Sequence, residues 1–131
     1  MSQESGFRFT RHYTREEART LLPRIRGWLK RLRELQPLLR HHGDNVERLL
    51  KHGRDAGGPE VDHWMRNLTR VAALGREFEQ REIQLKDLDR GLVDFPAILA
   101  GREVFLCWEE GEEDIDYWHE LDGGFAGRSA F

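Results

Sequence analysis

The sequence predicts an α+β fold, a long antiparallel helical hairpin followed by a small C-terminal antiparallel β-meander. Three observations carry that reading. Apolar residues recur at helical spacing along two long stretches before residue 81. Past Arg81 the apolar period changes to alternation, and glycines and prolines fall where such elements must end. At 131 residues the chain fits one domain, read as a helical hairpin over 1–81 with a loop at 43–59, and a small β lobe with an irregular tail over 82–131.

The elements follow in order. Phe7-Arg8-Phe9-Thr10 alternates apolar and polar residues, the pattern of a short strand or an extended lead-in. Thr14-Arg15-Glu16-Glu17 has the spacing of a capping box, in which the Thr14 hydroxyl accepts from the Glu17 amide and Glu17 reaches back. The helix it opens carries Ala18, Leu21, Leu22, Ile25, Trp28, Leu29, Leu32, Leu35 and Leu39 on one stripe. Pro23 lacks the amide that would bond the Arg19 carbonyl, so a kink or restart is expected there, and again at Pro37. His41-His42-Gly43 reads as the C-terminus of this helix. Asp44-Asn45-Val46-Glu47 offers a second capping-box spacing for a short helical continuation stopped by Gly53.

Gly57-Gly58-Pro59 is the clearest break, with Pro59 placed to open a second helix whose stripe is Val61, Trp64, Leu68, Val71, Gly75 and Phe78. That near-heptad spacing is coiled-coil-like. Gly75 interrupts the stripe, and two readings compete: a close helix approach, or a tolerated helix glycine. Helices of roughly 28 and 20 residues span about 40 and 30 Å at 1.5 Å per residue, so they can lie antiparallel. Beyond them, Ile83–Lys86, Leu92–Pro96, Val104–Trp108 and Ile115–His119 read as three or four strands, with turns at Gly91, Gly101 and Gly111.

Composition narrows the function. No run approaches the ~20 apolar residues that a membrane span needs, and Met1–Gly6 has no apolar stretch, so a soluble cytoplasmic protein is expected. The single cysteine, Cys107, excludes an internal disulfide and suits a reducing compartment. Charge is divided along the chain: residues 1–56 hold 13 Lys+Arg against 7 Asp+Glu, and residues 91–131 hold 2 against 10. The basic segment would therefore meet either a phosphate backbone or the acidic end of its own chain. An acidic lobe nearby repels nucleic acid, which favours the second.

The string Tyr13-Thr14-Arg15-Glu16-Glu17-Ala18-Arg19-Thr20-Leu21-Leu22-Pro23 resembles the opening of the bacterial DUF2203 family. Gly91–Pro96, Gly101-Arg102, Leu106-Cys107-Trp108, Gly111-Glu112, Tyr117-Trp118-His119 and Gly127-Arg128 resemble its second half, in the same order. The resemblance implies a bacterial cytosolic protein of unknown activity. It directs attention to these motif residues, with no catalytic residue implied.

Among their polar members, Asp94, Cys107, Glu112 and His119 are ligand types for a divalent metal, and Cys107, Glu112 and His119 form the candidate set for zinc or iron. Their spacing is not diagnostic, since there is no C-x2-C or H-x3-H pair. Strand register decides the matter. With Trp108 opposite Ile115, Cys107 and His119 point to opposite faces. With Glu109 opposite Ile115, Cys107 pairs with Tyr117 and His119 becomes its diagonal neighbour, with Cβ atoms ~7 Å apart.

Other readings remain for the same residues. Cys107 reads as a small buried hydrophobe and His119 as a histidine satisfied near a carboxylate, while a nucleophilic Cys107 activated by His119 and oriented by Asp94 is disfavoured by its apolar flanks. Arg128 is expected to form a bidentate salt bridge with Glu112 that pins the tail, and Trp108 and Trp118 to cover the helices from neighbouring strands. His41, His42, His52 and His63 read as solvated. The expected function is a non-catalytic interaction or assembly module that homodimerises through its helices and presents the motif residues to a protein partner. The alternative is a metal-binding protein or metal-dependent enzyme.

Overall fold

The computed structural model describes residues 6–53 and 58–131, so the expectations resting on residues 1–5 and on Gly57 lie outside the described residues. The chain has the α+β architecture predicted. Helix α1 spans Arg15–Lys51 and helix α2 Pro59–Glu79; strands β1 (Gln84–Asp87), β2 (Leu92–Leu99), β3 (Arg102–Glu109), β4 (Tyr117–Glu120) and β5 (Ser129–Ala130) follow. All pair antiparallel with their sequence neighbours, giving the sheet order β1-β2-β3-β4-β5. The meander thus has one strand more than expected, because the tail adds β5 after a 3-10 turn at Phe125–Gly127. Two compact units result, one of residues up to Arg26 with 78–131, the other of 27–77.

In the first unit the capping box forms as read: the Glu17 amide donates to Thr14 Oγ1 at 3.1 Å and the Thr14 amide to Glu17 Oε1 at 2.9 Å. The helix so started buries Ala18, Leu22 and Ile25, and Arg26 lies over the Trp108 ring with its Cζ 5.3 Å from the centroid. Trp108, Leu106 and Val104 alternate along β3 and share a face with Phe95 and Val93, their β2 partners or neighbours. That face is the apolar core. The lead-in carries no strand and bends at Arg8 and Thr10. It is strapped by two carboxylates. Glu103 accepts from the amides of Arg8 (2.7 Å) and Phe9 (2.9 Å), and Glu82 from those of Thr10 (2.9 Å) and Arg11 (2.6 Å). The acidic stretch meets basic residues of its own chain here, with Arg19 on Asp114 at 2.7 Å and Arg15 on Asp116 at 3.5 Å.

In the second unit the sequence reading needs correction. The stretch His41-His42-Gly43 does not end a helix and Asp44–Glu47 does not cap one, because α1 runs unbroken through them to Lys51, so residues 43–51 of the expected 43–59 loop are helical. Pro37, and Pro23 in the first unit, restart nothing either. Both are exposed, where a carbonyl lacking its helical partner is reachable by water, and the buried stripe continues on the far side. Tertiary contacts carry the helix past Gly43. His42 Nδ1 lies 3.0 Å from Glu60, Asn45 donates to the same Oε1 at 2.9 Å, and His42 stacks on His63 at 5.6 Å. His42 is therefore packed and paired instead of solvated.

The close helix approach occurs at Gly43, where an added Cβ would sit 3.5 Å from the Trp64 indole nitrogen. At Gly75 an added Cβ would meet nothing within 4 Å, so that residue is a tolerated helix glycine. Leu68, read as part of the buried stripe, is exposed, and Asn67 is buried in its place.

Candidate metal centre

The second face of the sheet carries the polar motif residues. Antiparallel pairing sets Asp94 of β2 opposite Cys107 of β3, Cys107 opposite Tyr117 of β4, and Phe105 opposite His119. Of the two registers open to the sequence, this is the one that makes Cys107 and His119 diagonal neighbours. Because strand side chains alternate, the same choice puts Asp94, Cys107 and His119 on one face, away from the Trp108 core.

The convergence is tight. One ligand atom from each of Asp94, Cys107 and His119 lies within 4.8 Å of the other two, and all three residues are buried. A tetrahedral metal with bonds of about 2.0–2.3 Å holds its ligand atoms roughly 3.3–3.8 Å apart, so small side-chain adjustments suffice to close on one ion. Among the described residues no other such group of three His, Cys, Asp or Glu side chains forms.

Hydrogen bonding has already prepared the imidazole. His119 Nδ1 lies 2.5 Å from the Glu120 carbonyl oxygen, which can only accept, so Nδ1 carries a proton and donates it. The Nε2 atom is then the one that points at chemistry, and it sits 3.0 Å from Asp94 Oδ2. A backbone carbonyl holding the far nitrogen is the usual support of a metal-ligating histidine. Without a metal, one proton lies between Nε2 and Oδ2, and an ion can take its place.

Asp94 is held in an unfavourable state. Its side chain is 3% exposed, Oδ1 has no partner at hydrogen-bond distance, and beyond His119 the carboxylate has only the weakly donating Cys107 thiol. Burial pushes its pKa up, an effect the His119 charge opposes. A buried acceptor left without a donor costs about 1–3 kcal/mol, which a cation bound there recovers. Burial, followed by the Asp94 charge, pushes the Cys107 thiol up to about 12, against the opposing pull of Arg128. Such a thiol is no free nucleophile, and both His119 nitrogens are engaged elsewhere, so the nucleophilic reading has no base to activate it. A metal held here would bind Cys107 as the thiolate, taking the place of its proton.

Glu112 is not brought to this group. It accepts from Arg128 at 2.6 and 3.2 Å through both guanidinium ends, and from the Glu109 amide at 2.8 Å. The expected tail-pinning salt bridge is thus formed, and Arg128 also lies over the Tyr117 and Phe125 rings, 3.8 and 4.1 Å from their centroids. Trp108 is buried in the core with its indole N–H donating to the Glu112 carbonyl at 2.9 Å. Trp118, opposite Leu106, is half-buried.

A cavity of about 300 Å³ adjoins the cluster, lined in part by Asp94, His119, Lys86 and Phe125. Lys86 was not singled out in the sequence. The alternation over 83–86 puts it on the face of Gln84, but only the pairing of β1 with β2, which sets Gln84 opposite Asp94, shows that this is the face of the cluster.

Fold and site define an α+β protein with a buried carboxylate–thiol–imidazole cluster on the outer face of a meander. The family model described as "Uncharacterized conserved protein (DUF2203)" matches residues 11–131, and the chain belongs to that family. No curated protein and no solved structure matches it. None of its described helices is long and apolar enough to cross a membrane.

Proposed function

We propose that this protein binds a divalent transition metal, zinc or iron, through Asp94, Cys107 and His119. The observation that carries the reading is the convergence of one ligand atom each from buried Asp94, Cys107 and His119 within 4.8 Å of one another, in a cluster whose Asp94 Oδ1 has no partner at hydrogen-bond distance. A thiolate, an imidazole and a carboxylate suit zinc or iron in preference to magnesium or calcium. Three protein ligands leave a fourth coordination position, the arrangement of a site that handles an exogenous ligand. Asp94 takes the carboxylate role assigned to Glu112 from sequence.

Elemental analysis of untagged protein tests this. Stoichiometric zinc or iron is expected in the wild type and its loss in Cys107→Ser, His119→Ala and Asp94→Asn, while Glu112→Ala retains it. Wild-type protein lacking metal after growth and reconstitution with zinc or iron overturns the reading, and so does full retention in all three ligand variants.

A second reading rests on a separate observation. In the helical unit Leu38, Leu50, Met65 and Leu68 are 44%, 62%, 53% and 38% exposed. A second copy of the chain covering these residues makes the protein a homodimer assembled through its helices, a scaffold for the metal lobe. The lone buried thiol suits a reducing cytoplasm, where we place the protein.

A further inference from the structure

The geometry points to a specific ligand class for the fourth metal position: a small organic acid, one carboxylate of which coordinates the ion while its second acidic group pairs with Lys86. The inference rests on the metal reading above and adds to it the cavity beside the cluster. Two of the three ligands, Asp94 and His119, line that cavity, so a ligand entering it arrives at the metal. Cys107 is fully buried and not among the lining residues.

Charge selects the ligand. Lys86 is the cation of the cavity wall, on the β1 face that Gln84 shares with its partner Asp94, and its Nζ lies 5.3 Å from the Phe105 ring centroid. It has no ion-pair partner among the described residues. Asp122, the other charge on the rim, is exposed and has Arg8 3.6 Å away, which offsets its repulsion of an anion. A metal held by one thiolate and one carboxylate is formally neutral, so Lys86 leaves the site with a net positive charge. Leu92, Leu121 and Phe125 supply apolar walls around the methylene part of a ligand. About 300 Å³ lies at the small end of ligand pockets, large enough for a short dicarboxylate.

The test uses untagged full-length protein loaded with cobalt(II) and titrated with malonate, read by the visible ligand-field spectrum of the metal. Cobalt content is measured first. A saturable spectral change with malonate, absent with the neutral malonamide, is expected. Lys86→Met should keep its cobalt and weaken malonate binding at least tenfold, and Leu121→Trp should keep its cobalt and abolish the response by filling the cavity. A cobalt-loaded wild type that is blind to malonate overturns the inference while leaving the metal centre standing, as does equal affinity in Lys86→Met. Failure to take up cobalt, visible before any malonate is added, overturns both.

Discussion

At the scale of single residues, Arg128 shows how a short tail is fixed to a sheet. Its guanidinium is clamped through two nitrogens by Glu112 and layered against Tyr117 and Phe125. Both the fork and the flat cation are used, and lysine offers neither. Arg128→Lys is expected to cost about 1.5–3 kcal/mol in urea unfolding, nearly as much as Arg128→Ala, because charge alone does not replace the bidentate contact. Full rescue by lysine would show that the pair acts only as two charges. Glu112 and Arg128 were matched from sequence as the charged members of two motifs, with Arg128 one of only two basic residues in 91–131. Asp94 could not be ranked above Glu112 as a ligand, since the choice turns on which carboxylate another residue has already engaged.

At the scale of elements, the lead-in shows how two carboxylates do the work of a missing strand. Glu103 and Glu82 both lose solvation, which alone would raise their pKa values. Hydrogen bonds from His12, Arg8 and Phe9 to Glu103, and from Arg11 and Thr10 to Glu82, outweigh that and hold both below the ordinary glutamate range. The stabilisation is complete above the ordinary glutamate value and is lost as pH falls through the lower folded values. The segment 7–13 should therefore loosen before the sheet on acidification, read as early loss of amide protection at Arg8, Phe9, Thr10 and Arg11. Glu82→Gln should flatten the pH dependence of the urea midpoint in that range, and an unchanged slope would remove Glu82 as its source. The two helices illustrate the opposite failure of local signals. Proline and glycine punctuation marked a kink or restart of α1 at Pro23 and Pro37 and its end at Gly43, yet buried Leu29, Leu32, Leu35 and Val46 carry it on to Lys51.

At the scale of the whole molecule, the opposed charges of the two ends are partly resolved within one chain. Arg8, Arg15 and Arg19 meet Asp122, Asp116 and Asp114. Such exposed pairs contribute about 0–1 kcal/mol each, so they orient the acidic stretch more than they stabilise it. The apolar residues left exposed fall chiefly in the helical unit, and that is where assembly is argued. Light scattering on eluting protein should give a dimer, and the double substitution Met65→Glu with Leu68→Glu should give a monomer with unchanged helix content. A monomeric wild type at micromolar concentration removes the assembly reading and leaves the metal centre untouched.

Periodicity, with the Thr14–Glu17 capping box and Pro59, determined the α+β class, the start of α1, the span of α2 and the positions of the first four strands, because each depends on side chains within a few residues of one another. The five-stranded count, the continuation of α1 and the cluster itself were decided by tertiary structure. Two registers one residue apart bury the same apolar run on β3, and only pairing across β2, β3 and β4 determines whether Cys107 and His119 look toward each other or away. Lys86 joins them because β1 pairs with β2 in the register that sets Gln84 opposite Asp94, which no single strand encodes.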